Sequence, residues 1–147
     1  MSAKRVVLDA CVAVKWYLPR ENEALVDEAF KLLSRHKERV ITFAAPDLFW
    51  AEFGNVIWKA LRQERIGERV ARVALDDIRA WDIEVFRTED LLDNALTIAI
   101  ANERSFYDAL YVALAQELRC DMITADEKLV NALGSRFPVR WLGGMRF

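Results

Sequence analysis

Histidine and cysteine are scarce in this chain of 147 residues, which has one histidine and two cysteines. Cys11 and Cys120 are not spaced as a C-x-x-C pair, and His36, the single histidine, stands in a polar stretch where we expect an exposed loop or helix-end position. These residues cannot form a zinc site of the usual histidine and cysteine type. Any metal ion must therefore be held by oxygen ligands.

Long apolar runs are also missing. No run approaches the roughly 20 residues that span a bilayer, and the first residues lead into a strand without the apolar region of a signal peptide. We therefore expect a cytoplasmic protein with no membrane-bound part. The formal net charge of −2 disfavours binding of nucleic acid through bulk positive charge. It leaves open contact with phosphate through a divalent cation, and a local basic patch.

The alternation of strand and helix patterns predicts the fold class. The size, with 54% hydrophobic and 30% charged residues, indicates a single domain over residues 1–147. Short apolar runs alternate with helical patterns, which favours a three-layer α/β/α fold around a parallel sheet of four or five strands. The strand patterns lie at residues 5–9, 40–44, 83–86, 121–124 and 139–142.

A helical hairpin is predicted at approximately residues 47–81. Two amphipathic patterns separated by Gly67 stand where a crossover needs only one helix. The hairpin carries several arginines, of which Arg62 and Arg65 are the candidate contacts to nucleic acid. The alternative is a solvated face, because nearby acids can neutralise these charges.

Four carboxylates are expected at one edge of the sheet. Asp9 and Asp126 directly follow strands, while Glu52 and Asp108 lie in the first turns of helices that follow strand regions. In a parallel sheet with right-handed crossovers, all four positions lie at the carboxyl edge. Four carboxylates in one place repel one another unless a cation neutralises them, and Mg²⁺ or Mn²⁺ suits oxygen ligands.

Two of these acids also have a purely structural interpretation. Glu52 could be placed by the helix dipole. Asp108 stands at the capping-box position relative to Ser105. A buried acid there is costly unless it is paired, and Arg104 is the one cation of this segment placed to pair with it.

Two side chains near these acids could support them. Thr124 and Glu127 match a capping box, which would leave the Asp126 carboxylate free. Lys15 lies on the turn after Asp9. It is either a solvated surface lysine or a residue that contacts a substrate phosphate or offsets the acids.

Four stretches of the sequence resemble the PIN-domain ribonucleases and most closely the VapC-type toxins of toxin–antitoxin pairs. They occur in the same order as in that family. Each stretch alone is weak, and the four together are specific. The resemblance covers the chain from Val6 to about Leu142. The stretches are Val7–Trp16, Pro46–Asn55, Tyr107–Ala115 and Ile123–Leu129.

The resemblance implies a PIN-like fold and an endoribonuclease that cuts structured RNA with Mg²⁺ or Mn²⁺. Thr124 matches a hydroxyl position near the metal, and Asn55 matches an asparagine one turn beyond the glutamate. Cys11 stands where serine or threonine is common. The implied partners are a second copy in a homodimer and a cognate antitoxin protein. The acids implied to act in catalysis and to bind the metal are Asp9, Glu52, Asp108 and Asp126.

Other classes of function remain open at this point. A Mg²⁺-dependent phosphatase or phosphotransfer domain would also place an acid after the first strand. An aspartyl-phosphate phosphatase normally needs a second aspartate two residues later, where this chain has Cys11. A noncatalytic PIN-like scaffold or RNA-binding module is the other alternative, since fold does not fix function. The intact acids favour the nuclease.

Overall fold

A parallel five-stranded sheet forms the centre of the computed structural model, which describes residues 2–147. The strands are β1 (Lys4–Leu8), β2 (Ile41–Pro46), β3 (Ile83–Phe86), β4 (Asp121–Thr124) and β5 (Val139–Trp141). Their order is β3-β2-β1-β4-β5, and every neighbouring pair is parallel. The predicted parallel sheet is confirmed, with five strands.

Helices cover both faces of this sheet. Successive side chains of a strand point to opposite faces, and the central strand shows this clearly. Val6 and Leu8 pack into the core beneath the first four helices, whereas Val7 packs into the core beneath the last three. The predicted three-layer α/β/α fold is therefore confirmed. The helices are α1 (Ala10–Ala13), α2 (Val26–Lys37), α3 (Leu48–Arg62), α4 (Glu68–Ile78), α5 (Leu92–Asn102), α6 (Phe106–Leu118) and α7 (Glu127–Leu133).

The fold also contains short 3-10 turns. Helix α1 is only four residues long and continues directly as a 3-10 turn at Val14–Trp16. Further 3-10 turns lie at Thr88–Leu91, before α5, and at Leu142–Gly144. Within residues 2–147, no helix has both the length and the apolar character needed to cross a bilayer.

The helical hairpin is formed by α3 and α4. Its inner side buries Phe53 and Ile57 of α3 against Ala74 of α4. The chain turns at Glu64, which has a left-handed φ of 59°, while Gly67 has extended backbone as the N-cap of α4. The reversal therefore comes one helical turn earlier than the glycine suggested.

Helix α6 is the interior helix of the fold. Every residue from Ala109 to Ala115 is buried, as the apolar character on all sides predicts. Ser105 caps its start, where the Ser105 Oγ accepts a hydrogen bond from the Asp108 N–H at 3.1 Å. The start of this interior helix thereby sets the position of a candidate site residue.

Candidate active site

Asp9 and Thr124 are brought together by the register of the two central strands. Leu8 pairs with Ile123, and the Asp9 N–H donates to the Ile123 carbonyl at 3.2 Å. The Thr124 hydroxyl then donates to Asp9 Oδ2 at 2.8 Å, and the Cys11 N–H donates to Asp9 Oδ1 at 3.3 Å. Each carboxylate oxygen keeps a further lone pair for another ligand.

The buried Thr124 hydroxyl joins β4 to the start of α1. It accepts a hydrogen bond from the Asp126 N–H at 3.1 Å, and it lies 3.5 Å from Cys11 Sγ. The Ala125 N–H points at the same sulfur at 3.4 Å. Burial raises the pKa of the Cys11 thiol, and the neighbouring Asp9 raises it further. Cys11 is therefore a neutral hydrogen-bonding group beside Asp9.

The predicted capping box of α7 is wrong. Asp126 itself is the N-cap, and its Oδ1 accepts a hydrogen bond from the Leu129 N–H at 3.2 Å. Thr124 cannot cap this helix because its hydroxyl is directed across the sheet to Asp9. Asp126 is exposed, so it lies at the rim of the carboxyl edge.

Three of the predicted acids come from different elements of the fold and repel one another electrostatically: Asp9, Glu52 and Asp108. Burial raises the pKa of Asp9, and the charge of Asp108 raises it further. Burial also raises the pKa of Glu52, with added repulsion from both Asp9 and Asp108. Three of the four predicted acids therefore share one electrostatic environment.

Tyr111 is a site residue that the sequence reasoning missed. It lies one turn after Asp108 on α6, and its buried hydroxyl has no hydrogen-bond partner of ordinary geometry within residues 2–147. The same holds for the buried Oε1 of Glu52. The two groups are neighbours, since the Tyr111 hydroxyl lowers the pKa of Glu52. Burial raises the pKa of Tyr111, and the charges of Asp9 and Glu52 add to this.

Asp108 has a cation beside it. Nη2 of Arg104 lies 3.5 Å from Asp108 Oδ2, and both side chains are about three-quarters buried, at 25% and 30% exposed. The expected pairing of Asp108 with Arg104 is therefore observed. The Nε of Arg104 is buried and has no partner among the described residues.

The donor set of this edge suits a hard divalent ion. Within residues 2–147, no three acid, histidine or cysteine side chains already converge as a ready metal cage. Three mutually repelling carboxylates nevertheless face one another, and Glu52 Oε1 is buried without a partner. Carboxylate oxygens are the ligands that Mg²⁺ and Mn²⁺ prefer. The residues therefore fit such an ion.

The remaining predicted residues lie outside this group. Asn55 is exposed, one turn beyond Glu52 on α3. Arg62 is exposed as well, whereas Arg65 is half-buried, with its Nη2 3.4 Å from Glu23 Oε1. Part of the Arg65 charge is thus already neutralised within the protein.

The exposed position predicted for Lys15 is wrong. Its side chain is buried, and its Nζ donates to Glu23 Oε2 at 3.1 Å and to the Ala24 carbonyl at 2.6 Å. The other role, contact with a substrate phosphate or with the acids, stays a prediction. Glu23 joins Lys15 to Arg65, so this network ties the start of the chain to the hairpin.

His36 lies in the last turn of α2, so the expected helix-end position is confirmed, but the residue is not exposed. Its ring is half-buried and stacks on Phe43, with ring centroids 4.3 Å apart. Burial lowers the pKa of His36. Since its neighbours Ile41 and Thr42 begin β2, His36 lies at the amino edge of the sheet, opposite the acids.

Comparison with known proteins agrees with the fold. The family model of the PIN domain matches residues 6–132. The chain is 27% identical to Ribonuclease VapC3 of Pyrobaculum aerophilum over 91% of this chain and 95% of that protein. It is 36% identical to Ribonuclease VapC1 of Mycobacterium tuberculosis over 61% of this chain and 67% of that protein. The fold is similar to a toxin-antitoxin complex from Klebsiella pneumoniae, with a TM-score of 0.60 and 18% identity over 92% of this chain and 95% of that chain. The chain belongs to the PIN domain family.

Proposed function

We propose that this protein is a Mg²⁺- or Mn²⁺-dependent endoribonuclease that cleaves structured RNA and acts in the cytoplasm as the toxin of a toxin–antitoxin pair. The observation that carries the proposal is the mutual repulsion of Asp9, Glu52 and Asp108 at the carboxyl edge. Arg104 pairs with only one of these three acids, and crowded like charges destabilise the metal-free protein unless a cation neutralises them. The relatives named ribonucleases support the same activity.

The roles of the individual residues follow from their contacts. Asp9, Glu52 and Asp108 would hold the ion, and Asp126 would bind it directly or through water. Thr124 holds the Asp9 carboxylate in place through its 2.8 Å hydrogen bond. When bound, a divalent ion supplies Lewis acidity for the attack of water on a phosphodiester.

No histidine is placed to act as the base in this reaction. His36 lies against Phe43 at the opposite edge of the sheet. The Cys11 thiol is held neutral by burial and by Asp9. Acid–base chemistry at this site would therefore fall to the carboxylates.

RNA cleavage with and without metal tests the proposal. Purified protein is incubated with a structured RNA and Mn²⁺, and cleavage is followed on a gel. We expect cleavage to stop with chelator and with Asp9→Asn, and to continue with Asp121→Asn, which makes the same change at the opposite edge of the sheet. Cleavage that survives both chelator and Asp9→Asn would contradict the proposal. RNA binding without cleavage would favour an RNA-binding module, and release of phosphate from a monoester alone would favour a phosphatase.

Within this proposal, the hairpin contacts RNA phosphate through Arg62, with a smaller part for Arg65. Arg62 is exposed, while Arg65 shares its charge with Glu23. Removing Arg62 should lower the log–log salt slope of RNA binding by about one. An unchanged slope would assign Arg62 to the solvated surface.

The proposed partners are an antitoxin protein and a second copy of the chain. The similarity to a toxin-antitoxin complex supports the first. For the second, α5 exposes an apolar row at helical spacing, formed by Leu92, Leu96 and Ile100, the last of which is 71% exposed. Light scattering of wild type and Ile100→Glu tests the homodimer. A wild-type monomer would contradict it.

A further inference from the structure

Arg104 provides the only ion pair that residues 2–147 make with a proposed site acid. Its partner is Asp108, which sits at the start of α6. Most other ion pairs of the protein lie on the solvated surface, and the Lys15, Glu23 and Arg65 network lies away from the acids. Arg104 is therefore a cation that the fold places beside the acids.

The backbone fixes the position of Arg104 on both sides. Helix α5 ends at Asn102, and Glu103 takes a left-handed conformation with a φ of 51°, which is unfavourable for a residue other than glycine. Directly after Arg104, the Ser105 side chain caps α6 through the Asp108 N–H. The turn between two well-defined helix ends thus presents Arg104 at the site.

The guanidinium of Arg104 is poorly satisfied where it stands. Its contact with Asp108 Oδ2 is 3.5 Å, at the outer limit of a hydrogen bond, and its buried Nε has no partner among residues 2–147. A guanidinium has five N–H donors in a planar fork that suits phosphate oxygens. Most of these donors therefore remain available for a ligand.

Asp108 cannot serve Arg104 and a divalent ion equally well. A divalent ion held by Asp108 would repel the neighbouring guanidinium and weaken its pairing with this carboxylate. We propose that Arg104 is a substrate-binding residue that pairs with Asp108 in the metal-free protein and binds an RNA phosphate when Asp108 holds the metal. This inference rests on the proposed ribonuclease function. The ligand class is a phosphodiester oxygen beside the bond that is cleaved.

Two simpler roles for Arg104 predict different results. If Arg104 only stabilises the fold, its removal lowers the melting temperature and leaves metal and RNA binding unchanged. If Arg104 only competes with the metal, its removal strengthens metal binding and speeds cleavage without changing RNA binding. The proposal predicts stronger metal binding together with weaker RNA binding.

The test compares Arg104→Gln, Arg104→Lys and the control Arg140→Gln. Arg140 also faces an aspartate, Asp121, at 3.7 Å but lies away from the acids. Calorimetry measures Mn²⁺ binding to the protein without RNA. Binding of a structured RNA is measured as a function of salt with Ca²⁺ in place of Mn²⁺, after a gel confirms that the RNA stays intact.

We expect Arg104→Gln to bind Mn²⁺ about 2- to 5-fold more tightly, which matches the loss of a weak competing ion pair. Its RNA binding should weaken, and the log–log salt slope should fall by about one. Arg104→Lys keeps the charge and should restore the slope but only part of the affinity, since it lacks the planar fork. Arg140→Gln should match wild type.

Several results would overturn the proposal. These are an unchanged salt slope in Arg104→Gln, unchanged Mn²⁺ affinity, or faster cleavage with unchanged RNA binding. Thermal melts show whether each variant is folded, and Arg104→Lys remains informative if the glutamine variant unfolds. If wild type binds RNA without cutting it, the ribonuclease function fails, while the salt slope still reports on Arg104. If wild type does not bind RNA at all, both proposals fail.

Discussion

Replacing Asp9 by asparagine removes one negative charge from the candidate site and keeps the shape of the side chain. Burial and the charge of Asp108 both disfavour the ionised Asp9 carboxylate in the metal-free protein. The amide oxygen of asparagine can still accept the hydrogen bond from Thr124, although the Cys11 N–H then loses its acceptor, because the amide NH2 group only donates. With chelator at neutral pH, we therefore expect Asp9→Asn to be as stable as wild type or more stable.

With metal, the order of stability should reverse. An ion that binds only the folded protein stabilises it by about 2.7 kcal/mol when its free concentration is 100 times its dissociation constant. The unfolding entropy is roughly 2.1 cal/mol/K per residue, or about 0.3 kcal/mol/K for a chain of 147 residues. Wild type should thus melt about 9 °C higher with Mn²⁺. A variant that binds Mn²⁺ about 100-fold more weakly gains only ~0.4 kcal/mol at the same concentration, or about 1 °C.

Thermal melts at constant ionic strength, with chelator and with Mn²⁺, measure both effects. Asp121→Asn is the matched control, because Asp121 is also partly buried but lies at the opposite end of β4. It should keep the full Mn²⁺ shift. A shift in Asp9→Asn as large as that of wild type would refute Asp9 as a metal ligand and remove the main support for the proposed centre.

Three further predictions concern neighbouring side chains. The raised pKa of Glu52 means that its contribution to stability is present below about pH 4.3 and is lost as the pH rises through its folded pKa. In chelator, the free energy of unfolding of Glu52→Gln, measured with urea, should therefore rise relative to that of wild type as the pH increases from 4 to 7. A difference between the two proteins that stays constant with pH would contradict this. Tyr111→Phe removes a buried hydroxyl that lowers the pKa of the neighbouring Glu52, so near neutral pH in chelator it should be up to ~1 kcal/mol less stable than wild type, and it should bind Mn²⁺ more weakly by calorimetry. Unchanged stability in chelator would mean that the hydroxyl does not support the Glu52 carboxylate. Lys15→Met should cost about 3 kcal/mol in urea unfolding because it leaves the largely buried Glu23 with only the longer 3.4 Å contact to Arg65, and adding Glu23→Leu should recover most of this. Additive losses in the double variant would argue against that network.

The parts of the fold that follow from short-range patterns could be predicted from the sequence. The apolar run Val6–Leu8 predicts a buried parallel strand, and the uniformly apolar segment Ala109–Ala115 predicts an interior helix. Both are found. Asp9 and Asp108 are found at the carboxyl edge for the same reason, since each directly follows or begins such an element.

The parts that depend on contacts distant in sequence could not be predicted. Lys15 is buried because it pairs with Glu23, eight residues later in the following loop, and helical or strand periodicity does not reveal such a pairing. The local sequence predicts that Thr124 caps a helix, but its hydroxyl instead donates a hydrogen bond to Asp9, which is 115 residues away in the sequence. Tyr111 stands among apolar neighbours on α6, and only its position beside Glu52 shows that its hydroxyl matters. A polar tip on an otherwise apolar helix was the one available signal.

The pairing of Leu8 with Ile123 fixes the register of β1 and β4, and with it the position of Thr124 relative to Asp9. Side chains alternate between the two faces of a strand, so a shift of one residue would turn the Thr124 hydroxyl away from Asp9. One inserted or deleted residue within β4 should therefore abolish the contact even where the sheet still forms. The same change in the loop between β4 and β5 would leave the register of β1 and β4 unchanged. Length variation in related chains should accordingly be confined to their loops, while β1 and β4 keep a constant length up to the acid and the hydroxyl.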